Sequence, residues 1–379
     1  MPVLLGIDRC VQDNFSLLKG KRIGLITNHS GRDSEGRSTL DLLYNAGGLT
    51  LTALFSPEHG IRGVVDEPVS DSYDSITGLP IYSLYGARTR PQPEQLRDVD
   101  VLVYDIQDIG VRFYTYISTL KYALEAAAEA QIAFVVLDRP NPLNGQLIEG
   151  PLAEIDRLDF TACHPIPIRH GLTLGELATL YVRELELPLQ LDIVRLDGWE
   201  RKDYWDATNL IWINPSPNMR SLRQALLYPG IGLLEFTNLS VGRGTDTPFE
   251  WIGAPWIDAR RLAATLNAAS LPGVCFIPVQ FQPSTRQYAG QICFGVEIIV
   301  THREVFRPVR TGLTIALALR QLFPEHWEPK NYLRLLANQK VFNAIVQNAP
   351  KEEIFSLLEE DEQAFRERIA SCLLYGDGG

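Results

Sequence analysis

The sequence predicts an α/β fold: a Rossmann-like parallel sheet domain followed by a smaller α+β domain. Three observations carry this. Near-continuous apolar strands alternate with helical patterns through the first part of the chain, as in doubly wound sheets whose strands are buried on both faces. Strand after strand ends in a polar cluster, and parallel strands bring such ends to one edge of a sheet. Beyond the polar, aromatic stretch RKDYWD the rhythm changes to alternating, half-buried antiparallel strands among helices, so the domains are set at 1–205 and 206–379.

The first strand is residues 21–28, KRIGLITN, ending in Asn28, His29, Ser30 and Gly31. Residues 38–46 read as a helix with Leu40, Leu43 and Tyr44 on one face. The second strand lies in residues 49–63, LTLTALFSPEHGIRG, where an apolar run meets Ser56, Pro57, Glu58, His59 and Arg62. An apolar strand feeding a Pro/Gly-framed cluster of acid, imidazole and guanidinium reads as a strand opening into a functional loop. Glu58 is therefore the leading working carboxylate. The competing reading is an ion pair between Glu58 and Arg62 across a turn.

A loop-rich segment, 64–93, contains IYSLYG. A third strand, VLVYD at 101–105, runs into IQDIGVRFYTY and an alanine-rich helix at 117–130. A fourth, at 132–138, ends in RPNPLNG. The strand ends thus supply Asn28 and His29, Glu58 and His59, Asp105, Asp108 and Arg112, and Asp138, Arg139 and Asn141. Some of these serve as turn and cap residues, but that role does not account for the histidines and arginines together. Thr173 and Glu176 form a T-x-x-E capping box for the next helix, and 189–196 is another strand. In the second half, helices are expected through Leu227, at 258–268 and at 308–322, with antiparallel strands at 274–281 and 291–301.

Composition narrows the function. The 379 residues carry a formal charge of -11 and a pI near 5.1, which disfavours a nucleic-acid partner. No stretch has the apolar length of a membrane span. The start lacks a basic leader and a long apolar core, so a cytoplasmic location is expected, although a trimmed secreted form would read the same. The five cysteines are scattered without CxxC or Cys/His clustering, so neither a disulfide framework nor a zinc site is indicated.

KRIGLITNHSG offers polar side chains where a dinucleotide fold offers glycines, and no GxxxxGK[ST] or GxSxG occurs, so no cofactor is expected. His29, His59, Asp105, Asp108 and Asp138 have the chemistry of metal ligands but match no metal spacing. Cofactor-free carboxylate chemistry remains, and glycoside hydrolysis is its commonest reaction.

Taken together, GLITNHSG, LFSPEHGIRG, VYDIQDIGVRFYTYISTL, LDRPNPLNG with EGP, NPSPNMRS and TNLSVGRGTDTPFEWIGAPW resemble the exo-β-N-acetylmuramidase family, formerly domain of unknown function 1343 and now glycoside hydrolase family 171. The resemblance runs end to end. It implies an active-site cleft between the two domains. It implies release of terminal β-1,4-linked N-acetylmuramic acid from the non-reducing ends of peptidoglycan fragments, with a non-catalytic sugar-binding protein and a metal-dependent hydrolase as the alternatives. It implies Glu58 as a catalytic residue, with His59 beside it. Asp105, Asp108 and Glu149 stand as candidates for a second group, alongside substrate assistance by the N-acetyl group. Substrate contacts are expected from Asn28, His29, Arg62, Arg112, Tyr114, Asp138, Asn141, Asn218, Arg220, Thr237, Arg243, Thr245 and Phe249. N-acetylmuramic acid carries a lactyl carboxylate, which an arginine would select, and Arg243 or Arg62 is favoured. Arg112 is equally readable as a structural partner of Asp105 or Asp108.

Overall fold

The larger sheet is built from β1 (Arg22–Thr27), β2 (Thr50–Ser56), β3 (Ser72–Tyr73), β4 (Pro80–Ser83), β5 (Val101–Asp105), β6 (Ala133–Leu137) and β7 (Leu191–Val194) in the computed structural model, which describes residues 3–58, 60–61 and 71–376. The strand order is β3-β4-β2-β1-β5-β6-β7, parallel throughout except for the short edge strand β3. Side-chain alternation splits the strands between two cores. Val101, Val103, Val135 and Leu137 face one side, packed with Ile7 and Cys10 of α1 (Gly6–Gln12) and Leu40 and Leu43 of α2 (Thr39–Tyr44). Leu102, Tyr104, Phe134 and Val136 face the other side, under α3 (Tyr116–Ala130) and α4 (Leu174–Glu184).

The capping box at Thr173 forms as expected: its side chain accepts from the Glu176 amide at 3.2 Å, and the Glu176 carboxylate accepts from the Thr173 amide at 3.0 Å. The alternation of strand and helix breaks between β2 and β5. Among the described residues there, the chain forms β3, β4 and a 3-10 turn at Pro93–Leu96 in place of a helix. Gly78, Pro80, Gly86, Pro91 and Pro93 punctuate the segment too closely for helical turns to accumulate.

The second part carries a three-stranded antiparallel sheet, β8 (Trp251–Ala254), β9 (Val274–Phe281) and β10 (Cys293–Val300), in the order β8-β10-β9. Around it lie α5 (Leu222–Ile231), α6 (Ala259–Ala268), α7 (Pro308–Leu322), α8 (Leu333–Leu336), α9 (Gln339–Val346) and α10 (Lys351–Ile369). The short β8 was not anticipated, since four residues are too few to show alternation. The core under α3 and α4 continues without a break into Ile231, Leu313, Leu319, Leu335 and Phe365 of this second part.

After α10 the chain returns to the first sheet. The Tyr375 hydroxyl donates to Asp138 at 2.5 Å and accepts from the Leu196 amide at 3.0 Å. The Leu374 amide donates to Glu176 at 2.9 Å.

Candidate active site

Glu58 follows β2 at the carboxyl edge of the sheet and is half-buried. Its Oε2 accepts a hydrogen bond from the Thr115 hydroxyl at 2.8 Å. Thr115 occupies the N-cap position of α3, yet its side chain makes no capping bond and turns to the carboxylate instead. Glu58 therefore sits where the partial positive charge of a 15-residue helix favours an anion.

The pocket around Glu58 is a partly open cleft of about 100 Å³ and joins both halves of the chain. Phe113, Tyr114 and Tyr116 come from the segment after β5; Tyr228, Glu235, Arg243 and Phe249 come from the second part; Ser216 and Asn218 come from the connection. Tyr228 lies at the centre of an aromatic cluster, 6.0 Å from Tyr114 and 4.7 Å from Phe249 between ring centroids, both edge-on. Burial pushes its hydroxyl pKa well above the usual tyrosine value, and the charges of Glu235 and Glu58 push the same way. Phe249 holds a left-handed backbone at φ 65, rare for a bulky residue, and its amide donates to the Val241 carbonyl at 2.7 Å.

Glu235 is the residue that sequence reasoning missed. It lines the pocket with Glu58 and is ion-paired with Arg243. Its position inside LLEFTNLSVGRGT, the stretch that also supplies Arg243, was the available signal. Thr115 was missed in the same way, inside VRFYTY.

The structure brings Glu58, Tyr114, Asn218, Arg243 and Phe249 together. Arg220 and Thr245 line a groove that adjoins this pocket through Asn218. His59 and Arg62 lie outside the described residues. His29 does not line the pocket; its Nε2 meets the Asn214 carbonyl at 2.6 Å. Asn28 Oδ1 accepts from the amide and hydroxyl of Ser30 at 2.9 and 2.5 Å, holding the turn after β1.

The other predicted residues do not line the pocket and are engaged with partners of their own. Asp105 is fully buried, takes two hydrogen bonds from Arg139 at 2.5 and 2.9 Å and a third from Thr39, and does not line the pocket. Glu149 is fully buried and accepts from the Arg310 amide at 2.8 Å, away from Glu58. Asp138 accepts from Thr173, Gly175 and Tyr375, so its carboxylate anchors α4 and the chain end. Burial nevertheless raises its pKa to about 6. Asn141 bridges Leu143 and Leu172. Thr237 donates to the Leu234 carbonyl at 2.7 Å.

Arg112 pairs with neither Asp105 nor Asp108. Its buried guanidinium donates to the carbonyls of Pro151, Ile166, Leu335 and Leu336, at 2.6 to 2.9 Å, tying the two parts of the chain together. Asp108 accepts from the Gly110 amide at 2.6 Å and lies 3.8 Å from His170. Burial raises the Asp108 pKa to about 7 and lowers that of His170 to about 3. Neither residue lines the pocket. Among the described residues, no three His, Cys, Asp or Glu side chains are grouped to hold a metal ion.

Residues 23–223 match the model of the exo-β-N-acetylmuramidase NamZ N-terminal domain, and residues 226–375 match that of its C-terminal domain. The chain belongs to the NamZ family. It is 44% identical over 378 residues to the peptidoglycan β-N-acetylmuramidase NamZ of Bacillus subtilis, covering 98% of this chain and 91% of that protein. Two crystal structures of DUF1343 family proteins from Bacteroides fragilis share the fold. One has a TM-score of 0.93 at 36% identity, covering 99% of both chains; the other has 0.80 at 27%, covering 100% of both. The NamZ likeness therefore spans both parts of the chain, and the pocket with Glu58 draws residues from both matched segments.

Proposed function

We propose that the protein is an exo-acting glycoside hydrolase that releases terminal β-1,4-linked N-acetylmuramic acid from the non-reducing ends of peptidoglycan fragments. The observation that carries this reading is one aromatic-walled pocket holding Glu58, Glu235 and Arg243 in a chain of the NamZ family. The Bacillus subtilis relative is named a peptidoglycan β-N-acetylmuramidase, which supports the same substrate.

In this reading Glu58 protonates the glycosidic oxygen as the bond breaks. Glu235 faces the same pocket and supplies the second carboxylate that Asp105 and Glu149, sealed in the scaffold, do not. Arg243 holds Glu235 and places a cation where the lactyl carboxylate enters. The aromatic cluster takes the apolar face of the sugar ring.

The test is hydrolysis of a chromogenic β-N-acetylmuramide against the corresponding glucosaminide. Release from the muramide alone is expected. Equal rates on both substrates, or tight binding without turnover, would overturn the reading. Glu58→Gln should lower the rate roughly 100- to 10,000-fold at a cost in stability of no more than about 1 kcal/mol, the worth of an anion at a helix N-terminus. The anomer first released, followed by NMR, reads whether the second carboxylate attacks carbon or activates water.

A further inference from the structure

The pocket that holds Glu58 does not end at Asn218. The same residue lines a wider groove of about 570 Å³, against about 100 Å³ for the pocket. One wall is Gly244, Thr245 and Asp246, the outward continuation of the loop that carries Arg243 into the pocket. The other is Gln280 and Phe281 at the end of β9, with Gln282, Ser284 and Thr285 beyond it. The two walls are fastened together. The Ser284 amide and hydroxyl both donate to the Gly244 carbonyl, at 2.8 and 2.7 Å. Gly244 has φ +82, and a Cβ there would stand 2.6 Å from the Thr285 carbonyl oxygen, so the fastening needs a glycine. One rigid loop thus shapes both compartments.

The chemistry of the groove suits a carbohydrate. Half-buried Trp251, packed on Phe281 with 5.6 Å between ring centroids, gives an aromatic surface for the C–H face of a pyranose. The Gln280 and Gln282 side chains are exposed at the rim, Gln282 also donating to the Gly290 carbonyl at 2.6 Å, and an amide both donates and accepts, as a sugar hydroxyl does. Arg220 and Asp246 add one charge of each sign. Among the described residues, Arg220 makes no ion pair; its Nε donates to the Pro217 carbonyl at 3.0 Å.

We propose that this groove binds the sugars on the reducing side of the scissile bond, beginning at Asn218, and so sets how much the enzyme gains from a longer glycan. The proposal rests on the muramidase reading. A terminal muramic acid sits beside Glu58 in the pocket, and the rest of the glycan leaves across Trp251 and between the two fastened walls.

Three substrates test it: an aryl β-N-acetylmuramide, the disaccharide in which muramic acid is linked to N-acetylglucosamine, and the trisaccharide extended by a further muramic acid. The double variant Gln280→Ala/Gln282→Ala changes exposed residues, and Trp251→Leu removes the aromatic floor. Both should raise KM for the trisaccharide about tenfold, the loss of one or two hydrogen bonds or a stacking contact, with kcat and the aryl muramide unaffected. Equal effects on the aryl glycoside and the trisaccharide, or no effect on either, would overturn the groove. Calorimetric binding of the trisaccharide to Glu58→Gln, with and without the glutamine substitutions, decides the matter independently of turnover. Affinity lost with the glutamines supports the groove, and affinity retained removes it. A wild-type protein that cleaves none of the substrates defeats the muramidase reading, and the binding measurement still judges the groove.

Discussion

Arg243 is ion-paired to Glu235 in the pocket that holds Glu58, so an entering carboxylate meets a guanidinium already fixed in place. Arg243→Ala should cut the preference for muramide over glucosaminide roughly 10- to 100-fold in kcat/KM, the worth of a charge-assisted hydrogen bond. Unchanged selectivity would assign Arg243 to holding Glu235 alone. Asp108 makes a different prediction, about pH. Its folded pKa is raised from 3.8 to about 7 by burial, so between those values the unfolded chain releases a proton that the native state keeps. Ionising Asp108 therefore lowers stability as pH rises to about 7. His170, lowered to about 3, acts in the opposite sense, losing stability as pH falls below its ordinary 6.5. Asp108→Asn removes the first effect only. Urea unfolding at pH 4, 6 and 8 should show the variant gaining on the wild type as pH rises, by up to about 4 kcal/mol. A pH-independent difference would mean that Asp108 is ionised throughout. At this scale the sequence was partly readable. Glu58, Arg243, Asn218 and Phe249 announced themselves by residue type in a motif, whereas Glu235 and Thr115 acquire their place only when the second part of the chain folds against the first.

At the scale of elements, β5, α7 and β9 are read from the sequence with their observed limits, because a buried strand or an amphipathic helix shows its period directly. Several of the polar strand ends hold neighbouring groups rather than line the pocket, for a physical reason. A parallel sheet does collect them on one edge, but burial there demands partners, and Asp105, Arg139, Asp138 and Asn141 largely satisfy one another and nearby backbone. Periodicity cannot separate a polar residue that faces a ligand from one that closes a turn. Arg112 is the sharpest case. Arg112→Met leaves the carbonyls of Pro151, Ile166, Leu335 and Leu336 without their donor. It should cost about 1–3 kcal/mol or more in a urea titration, the penalty of buried acceptors left unsatisfied, while leaving KM for the muramide unchanged. A raised KM with unaltered stability would restore Arg112 to the substrate site.

Across the whole molecule, one core runs from beneath α3 and α4 into the helices around the small sheet. Arg112 binds carbonyls on both sides, and the last described residues return to β6 and α4. The two parts should therefore unfold in one calorimetric transition, and residues 226–375 expressed alone should lack a cooperative melt. Two resolved transitions would show the parts to be independent. Removing residues 373–379 should lower the melting temperature of the whole, because Asp138, Leu196 and Glu176 lose hydrogen-bond partners together. An unchanged melt would make the return of the segment after α10 ornamental.

That return also has a meaning in time. Asp138 and Tyr375 are 237 residues apart, so on the ribosome the buried carboxylate is made long before the hydroxyl that completes its surroundings. At ordinary elongation rates the interval is roughly ten to fifty seconds. Through that interval the carboxylate after β6 waits for a partner that lies in the segment beyond α10.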